Sequence, residues 1–370
     1  MTSDMTRVAE AIRAFERGEI VVVTDDDDRE NEGDLIIAAS HVTPEKMAFI
    51  IRHCCGIVCA PMTSEEARRL NLNPMVAVND APHGTAFTVT VDYRHGTTTG
   101  ISADDRTATV RGLANPNAGA ADFVRPGHIF PLVAKEGGVL MRSGHTEAAV
   151  DLCRLAELPP VAAICELVND DGTVMRGDQV TAFSKTHKLA KVSVEDLIAW
   201  RQRQERLVER IEEFEITTTV GRATAISYAT PYDPMHHLAV VYGDIRDGQD
   251  VLVRLHLESV VDDVFGATPP LTEFMDRVAE TGRGVIVYLR EGSVGVAHAD
   301  DYTRDQIPDD REDHKSAKSR EEQWREVGLG AQILNDLGVA SIRLLASKER
   351  HYVGLDGFGI EISETEIIDG

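Results

Sequence analysis

GGVLMRSGHTEAAVDLCRLAELPPVAAICELV, residues 137–168, decides the fold class. Its first residues read as a strand ending in Arg142-Ser143-Gly144-His145-Thr146. A helical pattern then begins at about Thr146, and after Pro159 and Pro160 the β-rich run VAAICELV starts at Val161. Strand, helix and strand in close succession indicate a mixed α/β domain.

The same alternation extends outward. A helix is expected over about Thr6–Arg17, stopped by Gly18, followed by the apolar strand IVVVTD. Further strands are expected at DLIIAA from Asp34, GIVCAPM from Gly56 and AFTVTVDY from Ala86, with helical stretches such as PEKMAFIIRHC between them. The charged run VSVEDLIAWRQRQERLVERIEEFE, from Val192 to about Glu215, reads as the last helix of a first domain continuing into a linker. Beyond it, TTVGRATAISY, HHLAVVYGD, DVLVRLHLES and GVIVYLR are β-rich, and GLGAQILNDLGVASIRLLA is a helix-Gly-strand unit. Residues 297–325 are charged and poor in apolar side chains, which reads as a loop. The expected fold class is therefore α+β or mixed α/β: two domains, 1–205 and 206–370, each a mixed β-sheet layered with helices.

Length and charge agree and narrow the function. At about 150 residues per domain, 370 residues suit two domains. A net charge of −24 argues against nucleic acid and anionic membrane as partners. No stretch reaches the roughly 20 apolar residues of a membrane helix, and MTSDMTRVAE has no export signal, so a cytoplasmic protein is expected. The five cysteines, Cys54, Cys55, Cys59, Cys153 and Cys165, form no C-x-x-C pair and all lie in the first half. They read as reduced thiols, with Cys54 and Cys55 in the core.

Four segments carry candidate chemistry. TDDDDRENEGD, Thr24–Asp34, places seven carboxylates and Arg29 between two apolar strands. An acidic run is ordinarily a solvated loop, but one pinned at the carboxyl end of a strand suits a hard cation, with Glu30 joined by Glu32 or Asp34. Arg142-Ser143-Gly144-His145-Thr146, opening a helix, offers free N–H groups, hydroxyls and a positive charge to a phosphate. There His145 reads as a metal ligand, an acid/base group or a surface cap. RPGHIFPL holds His128 between prolines in what reads as a rigid loop, suiting a proton carrier, and Glu166 is the one charge within VAAICELV. A buried Glu166 needs a cationic or protonated partner, and a surface-facing one does not. Thr97, Thr98 and Thr99 add hydroxyls in what otherwise reads as a turn.

Together, DDDDRENEGD, IRH with GIVCAPM, TAFTVTVD, TTTGISADDR, RPGHIFPL, R-x-GHTEA and CELVNDDG resemble the 3,4-dihydroxy-2-butanone 4-phosphate synthases of riboflavin biosynthesis, over residues 7–205. The resemblance implies conversion of D-ribulose 5-phosphate to L-3,4-dihydroxybutan-2-one 4-phosphate and formate by a homodimer. It also implies a requirement for Mg²⁺ or Mn²⁺, two ions per active site. Carried over to this sequence, Glu30 and His145 bind metal. Arg29, Asp34, Arg142, Ser143, Gly144, His145 and Thr146 hold the substrate and its phosphate. His128 and Glu166 are catalytic, and Glu32, Cys59 and Thr99 line the site.

The second half resembles GTP cyclohydrolase II at LVRLHLES, DDVFG, GVIVYLR and GLGAQILNDLGVASIRLL. Where that family holds zinc with three cysteines, this chain has Ser259 and the segment Ala267–Pro270, and it has no cysteine beyond Cys165. The family's Gln-Glu-Gly-Arg-Gly loop is replaced by Arg290-Glu291-Gly292-Ser293-Val294-Gly295. Arg325 remains, but Gln323 replaces an aspartate, and Ala346-Ser347-Lys348-Glu349 replaces a Thr-Asn-Asn-Pro segment. The expectation is a catalytically inactive second domain without zinc that stabilises or regulates the first. Two readings compete with it: a bifunctional enzyme using a non-thiolate metal site, with His236, His237 and His256 as candidates, or a module that senses a nucleotide or flavin.

Overall fold

A computed structural model describes residues 3–25, 30–81, 84–231, 233–266, 271–290, 328–346 and 359–367. The chain divides into two compact units, Met1–Arg201 and Gln202–Gly370, each built on a seven-stranded mixed sheet with helices, as the fold class required.

In the first unit the strands are β1 (Val21–Thr24), β2 (Gly33–Ala38), β3 (Cys59–Met62), β4 (Val91–Tyr93), β5 (Phe123–Val133), β6 (Ala162–Glu166) and β7 (Ala190–Ser193). Their order is β4-β5-β3-β6-β2-β1-β7. The central strands are buried throughout, so successive side chains serve opposite faces. Val22, Leu35, Ile37, Ala163 and Cys165 join one core with helices α2 (Pro44–His53), α4 (Ala103–Leu113) and α6 (Asp178–His187). On the sheet's other face lie α1 (Ser3–Glu16) and α5 (His145–Leu155). In α5 every residue from His145 to Cys153 is buried. Its polar members therefore need partners: Asp151 accepts from Val139 N at 2.8 Å and from Arg201 at 2.9 Å. Arg201 belongs to α7 (Val194–Gln204). A short α3 (Ser64–Arg69) follows β3, capped by the Thr63 hydroxyl.

Four local expectations are corrected. The stretch before Arg142 is a 3₁₀ turn, Gly138–Leu140, not a strand, because Gly137 and Gly138 both take positive φ. AFTVTVDY forms a strand only over Val91–Tyr93, with Phe87 and Thr88 making isolated bridges. RPGHIFPL lies inside β5 and is not a loop. The helix expected to reach Glu215 ends at Gln204. Glu209–Thr218 is instead β8, at the sheet edge of the second unit, where Glu209, Glu212, Glu213 and Glu215 are exposed. Charged side chains suit an unpaired strand edge as well as they suit a helix surface, so charge alone misleads here.

The second unit continues with β9 (Gly221–Thr230), β10 (Asp233–Tyr242), β11 (Val251–Leu257), α8 (Val260–Phe265), α9 (Thr272–Thr281), β12 (Gly284–Leu289), helical residues 328–336, β13 (Ser341–Ala346) and β14 (Glu361–Ile367). Its sheet order is β14-β13-β11-β12-β10-β9-β8. One face carries Tyr228, Ala239, Val253, Val285 and Leu344, the other Val240, Leu252, Ile286 and Phe274. Residues 297–325, read as a loop, the retained Arg325, and the substitutions at Ala267–Pro270, Glu291–Gly295, Gln323 and Ser347–Glu349 lie outside the described residues. No described helix is long and apolar enough to cross a membrane.

Candidate active site

The acidic run opens where β1 ends, and its first carboxylate is structural. Asp25 is buried and accepts from the backbone N–H groups of Glu30 at 3.1 Å and Glu32 at 2.9 Å. Asn31, at φ 53°, turns the chain between them. This closes the loop and returns it to β2 with Glu30, Glu32 and Asp34 at the same end of the sheet. Antiparallel pairing then sets Asp34 opposite Glu166, the last residue of β6.

His145, the first residue of α5, approaches this end from below the sheet. Its Nδ1 lies 3.7 Å from Glu30 Oε2 and 3.8 Å from Asp34 Oδ1. Asp25, Glu30 and His145 each place a donor atom within 4.8 Å of the others. Asp34 Oδ1 is buried and receives no hydrogen bond. Burial pushes the Asp34 carboxyl up to about 8, opposed by His145 and reinforced by the charges of Glu166, Glu30 and Asp25. Glu32 is also raised, first by burial and then by Glu30, Asp25 and Glu166, although Arg176 stands 3.7 Å away. Such a concentration of negative charge, including an unsatisfied oxygen, fits a divalent cation. Carboxylates with one imidazole suit Mg²⁺ or Mn²⁺ completed by water and substrate oxygens.

The helix start beside His145 is shaped for an anion. Arg142 donates to Glu147 at 2.7 Å and to the Thr85 hydroxyl at 3.1 Å, while Glu147 also accepts from Lys135 N at 2.9 Å. Gly144 lies between them: a Cβ there would meet Arg142 Nη1 at 2.5 Å and Glu147 Oε2 at 2.9 Å. No side chain caps α5, so its first N–H groups are not covered by a cap, with Ser143 and Thr146 alongside.

Glu166 is half-buried, between the two readings left open for it, and Cys55 Sγ donates to its Oε2 at 2.8 Å. Cys55 is exposed, which corrects its assignment to the core, whereas Cys54 is buried. Cys59, on β3, is buried, and burial together with the charges of Glu166 and Asp34 pushes its thiol up.

His128 stands against a further carboxylate, Asp92. His128 Nδ1 sits 2.7 Å from Asp92 Oδ2, and the His128 backbone N–H donates to the same carboxylate at 2.8 Å. Gly100 packs against both, since a Cβ there would meet His128 Nδ1 at 2.6 Å. The neighbouring Thr97–Gly100 segment is held by Asp105, which accepts from Thr98 N, Thr98 Oγ1 and Gly100 N at 2.8–3.0 Å. Thr99 is exposed. Arg29 lies outside the described residues. Sequence reading gave no role to Asp25, Asp92 or Glu147, although each stood inside a quoted segment: TDDDDRENEGD, TAFTVTVD and R-x-GHTEA.

The second unit holds a different polar cluster. His256 Nε2 lies 2.8 Å from Asp263 Oδ1, and Asp263 Oδ2 accepts from Ser259 N at 3.1 Å and from the Tyr288 hydroxyl. Arg290 pairs with Glu258 at 3.3 Å, and its N–H donates to His237 Nδ1 at 3.1 Å. The register pairs His256 with Tyr288 and Leu238 with Tyr288, so His237 and His256 face opposite sides of the sheet. The three histidines considered as a non-thiolate site therefore do not converge.

Comparison with known proteins accounts for both units. Residues 9–200 match the family model for 3,4-dihydroxy-2-butanone 4-phosphate synthase, and residues 209–366 match that for GTP cyclohydrolase II. A Rhodococcus erythropolis protein named riboflavin biosynthesis protein RibBA is 48% identical over 97% of this chain and 89% of its own. Its namesake from Nocardia farcinica is 47% identical over 97% and 90%. Among solved structures, RibBX from A. baumannii, described as a two-domain 3,4-dihydroxy-2-butanone 4-phosphate synthase, superposes with TM-score 0.80 at 36% identity, over 98% of this chain and 99% of that one. A 3,4-dihydroxy-2-butanone 4-phosphate synthase solved with two magnesium ions is 49% identical over 53% of this chain and 97% of its own, with TM-score 0.52.

Proposed function

Because the chain belongs to the 3,4-dihydroxy-2-butanone 4-phosphate synthase family and carries a GTP cyclohydrolase II family unit after it, we propose that its first unit converts D-ribulose 5-phosphate to L-3,4-dihydroxybutan-2-one 4-phosphate and formate for riboflavin biosynthesis. The observation that carries this reading is the buried Asp34 oxygen without a hydrogen bond, set against Glu30 and His145 at the end of the sheet. Glu30 and His145 are the residues we assign to Mg²⁺, with Asp25 shaping their loop; the relative solved with magnesium ions supports the choice of metal. When bound, the cation polarises the substrate's ketone and hydroxyl oxygens and stabilises negative charge developing there.

The chain's own groups do the rest. Arg142, locked by Glu147, and the N–H groups at the start of α5 take the phosphate and fix the carbon chain along the sheet end. Glu166 accepts and returns a substrate proton, its Oε2 held by the Cys55 thiol. Asp34 and Glu32 bind substrate hydroxyls, with Cys59 lining the floor. His128, oriented by Asp92, supplies a second proton-transfer group. Exposed Ile57, Val76, Val78 and Ile101 support a second copy of the chain as partner. The test is ¹³C NMR of labelled ribulose 5-phosphate: C4 should appear as formate with Mg²⁺ and not after chelation. No formate from folded protein overturns the assignment.

For the second unit, the name shared by the relatives at 47–48% identity spans both family units and favours a bifunctional chain over a purely structural one. Against that stand the absence of any cysteine beyond Cys165 and the description of the A. baumannii structure as a synthase. GTP turnover with added zinc separates them: formate released from GTP establishes the second activity, and none establishes a supporting role.

A further inference from the structure

Two thiols stand beside Glu166. The Cys55 N–H donates to the Glu166 carbonyl at 3.0 Å, and Cys54 bridges to Leu167, so the chain after α2 runs beside the end of β6. This pairing brings Cys55 Sγ to 3.6 Å from Cys165 Sγ and 2.8 Å from Glu166 Oε2. The three donor atoms lie within 4.8 Å of one another, with Cys165 buried and Cys55 exposed.

We infer that Cys55, Cys165 and Glu166 form a second cation site, suited to a thiophilic divalent ion of the zinc class, whose occupation withdraws Glu166 from the reaction. The inhibitory part rests on the role proposed above for Glu166; the site itself does not.

Geometry and ligand chemistry both support it. Zinc–sulfur bonds of about 2.3 Å in a tetrahedron separate two sulfurs by about 3.8 Å. The thiols already stand close to that separation, whereas a disulfide requires about 2.05 Å and a further closing of the pair. Thiolates select zinc-like ions, and oxygen donors select magnesium, so the two sites sort their cations by ligand type. The exposed side of Cys55 leaves the fourth position to water. Buried Arg106, bonded to the Gly56 carbonyl at 2.9 Å and with no hydrogen bond at Nε, interacts electrostatically with Cys165 and favours its thiolate. Before binding, Cys165 donates to the Ile57 carbonyl at 3.3 Å and Cys55 to Glu166. Binding breaks both S–H bonds, releases two protons to water and forms two metal–sulfur bonds, so occupancy rises with pH.

The test uses reduced full-length protein with saturating Mg²⁺, titrated first with Co²⁺ and then with Zn²⁺. Wild type should develop a sulfur-to-cobalt absorption band at one equivalent, abolished by zinc. Cys55→Ser and Cys165→Ala should lose the band, and Glu30→Ala should keep it, since the magnesium centre offers no sulfur. Formate production should fall about tenfold or more with one equivalent of zinc and recover with chelator, and Cys55→Ser should need about tenfold more zinc. No band in wild type, or an undiminished band in Cys55→Ser, overturns the site. A full band with undiminished formate production keeps the site and overturns the role of Glu166.

Discussion

The two units solve the problem of polar groups at a sheet end in opposite ways. In the first, Asp25, Glu30 and Asp34 gather about His145 with the charges of Glu32 and Glu166 nearby, Asp34 keeps an oxygen without a hydrogen bond, and burial raises both Asp34 and Glu32. In the second, His256, the Tyr288 hydroxyl and the Ser259 N–H converge on the Asp263 carboxylate, with burial and Asp263 holding the Tyr288 hydroxyl protonated. Like charges crowded together, with a buried oxygen left unserved, repel one another and are stabilised when a cation enters. A satisfied network gains nothing from one, and its contribution is to the fold.

The most severe break in this contrast comes from removing the proposed ligands. Glu30→Ala and His145→Ala should each reduce Mg²⁺-dependent formate production by about three orders of magnitude while leaving the circular dichroism spectrum unchanged. Turnover within tenfold of wild type would show that the acidic cluster is only surface charge.

A second effect concerns the protein without metal. Asp34 is raised to about 8 in the fold and returns to about 4 when unfolded, so the folded state holds its proton more tightly. Its stabilising contribution is complete below the unfolded value and is lost as pH climbs toward 8. In chelator, the first unit should lose on the order of 2–3 kcal/mol between pH 5.5 and 8. Mg²⁺ should abolish that slope by stabilising the ionised carboxylate, and Asp34→Asn should abolish it without metal. Thermal unfolding across that range reads all three, and a flat profile in chelator would place the Asp34 proton elsewhere.

What could be read beforehand follows from how local each feature is. Glu30, Asp34, His145 and Glu166 stand where a strand ends or a helix begins, and the apolar runs beside them fix those ends. Asp25 could not be told from its acidic neighbours, because its role lies in two backbone bonds to Glu30 and Glu32. Asp92 and His128 are 36 residues apart and meet only through the β4–β5 pairing, so neither alone announces the other. Cys55 looked like core because it follows an amphipathic helix, yet the helix ends at His53 and the thiol turns outward to Glu166. The β8 edge was hidden by its charges, which carry helical and edge-strand meaning equally.

The smallest expected change is the one that most sharpens the contrast. His256→Ala removes the imidazole from a half-buried carboxylate that keeps Tyr288 and the Ser259 N–H as donors, so about 1–3 kcal/mol of the second unit's stability should be lost. Hydrogen exchange at β11 and β12 amides reads that loss locally, and it should be the same with Mg²⁺ or chelator present. Formate production from ribulose 5-phosphate should be unaltered, because both oxygens of Asp263 already accept hydrogen bonds. A substitution that stopped the synthase reaction, or a stability loss that metal repaired, would mean that the second cluster too is completed by a ligand and that the two sheet ends are alike after all.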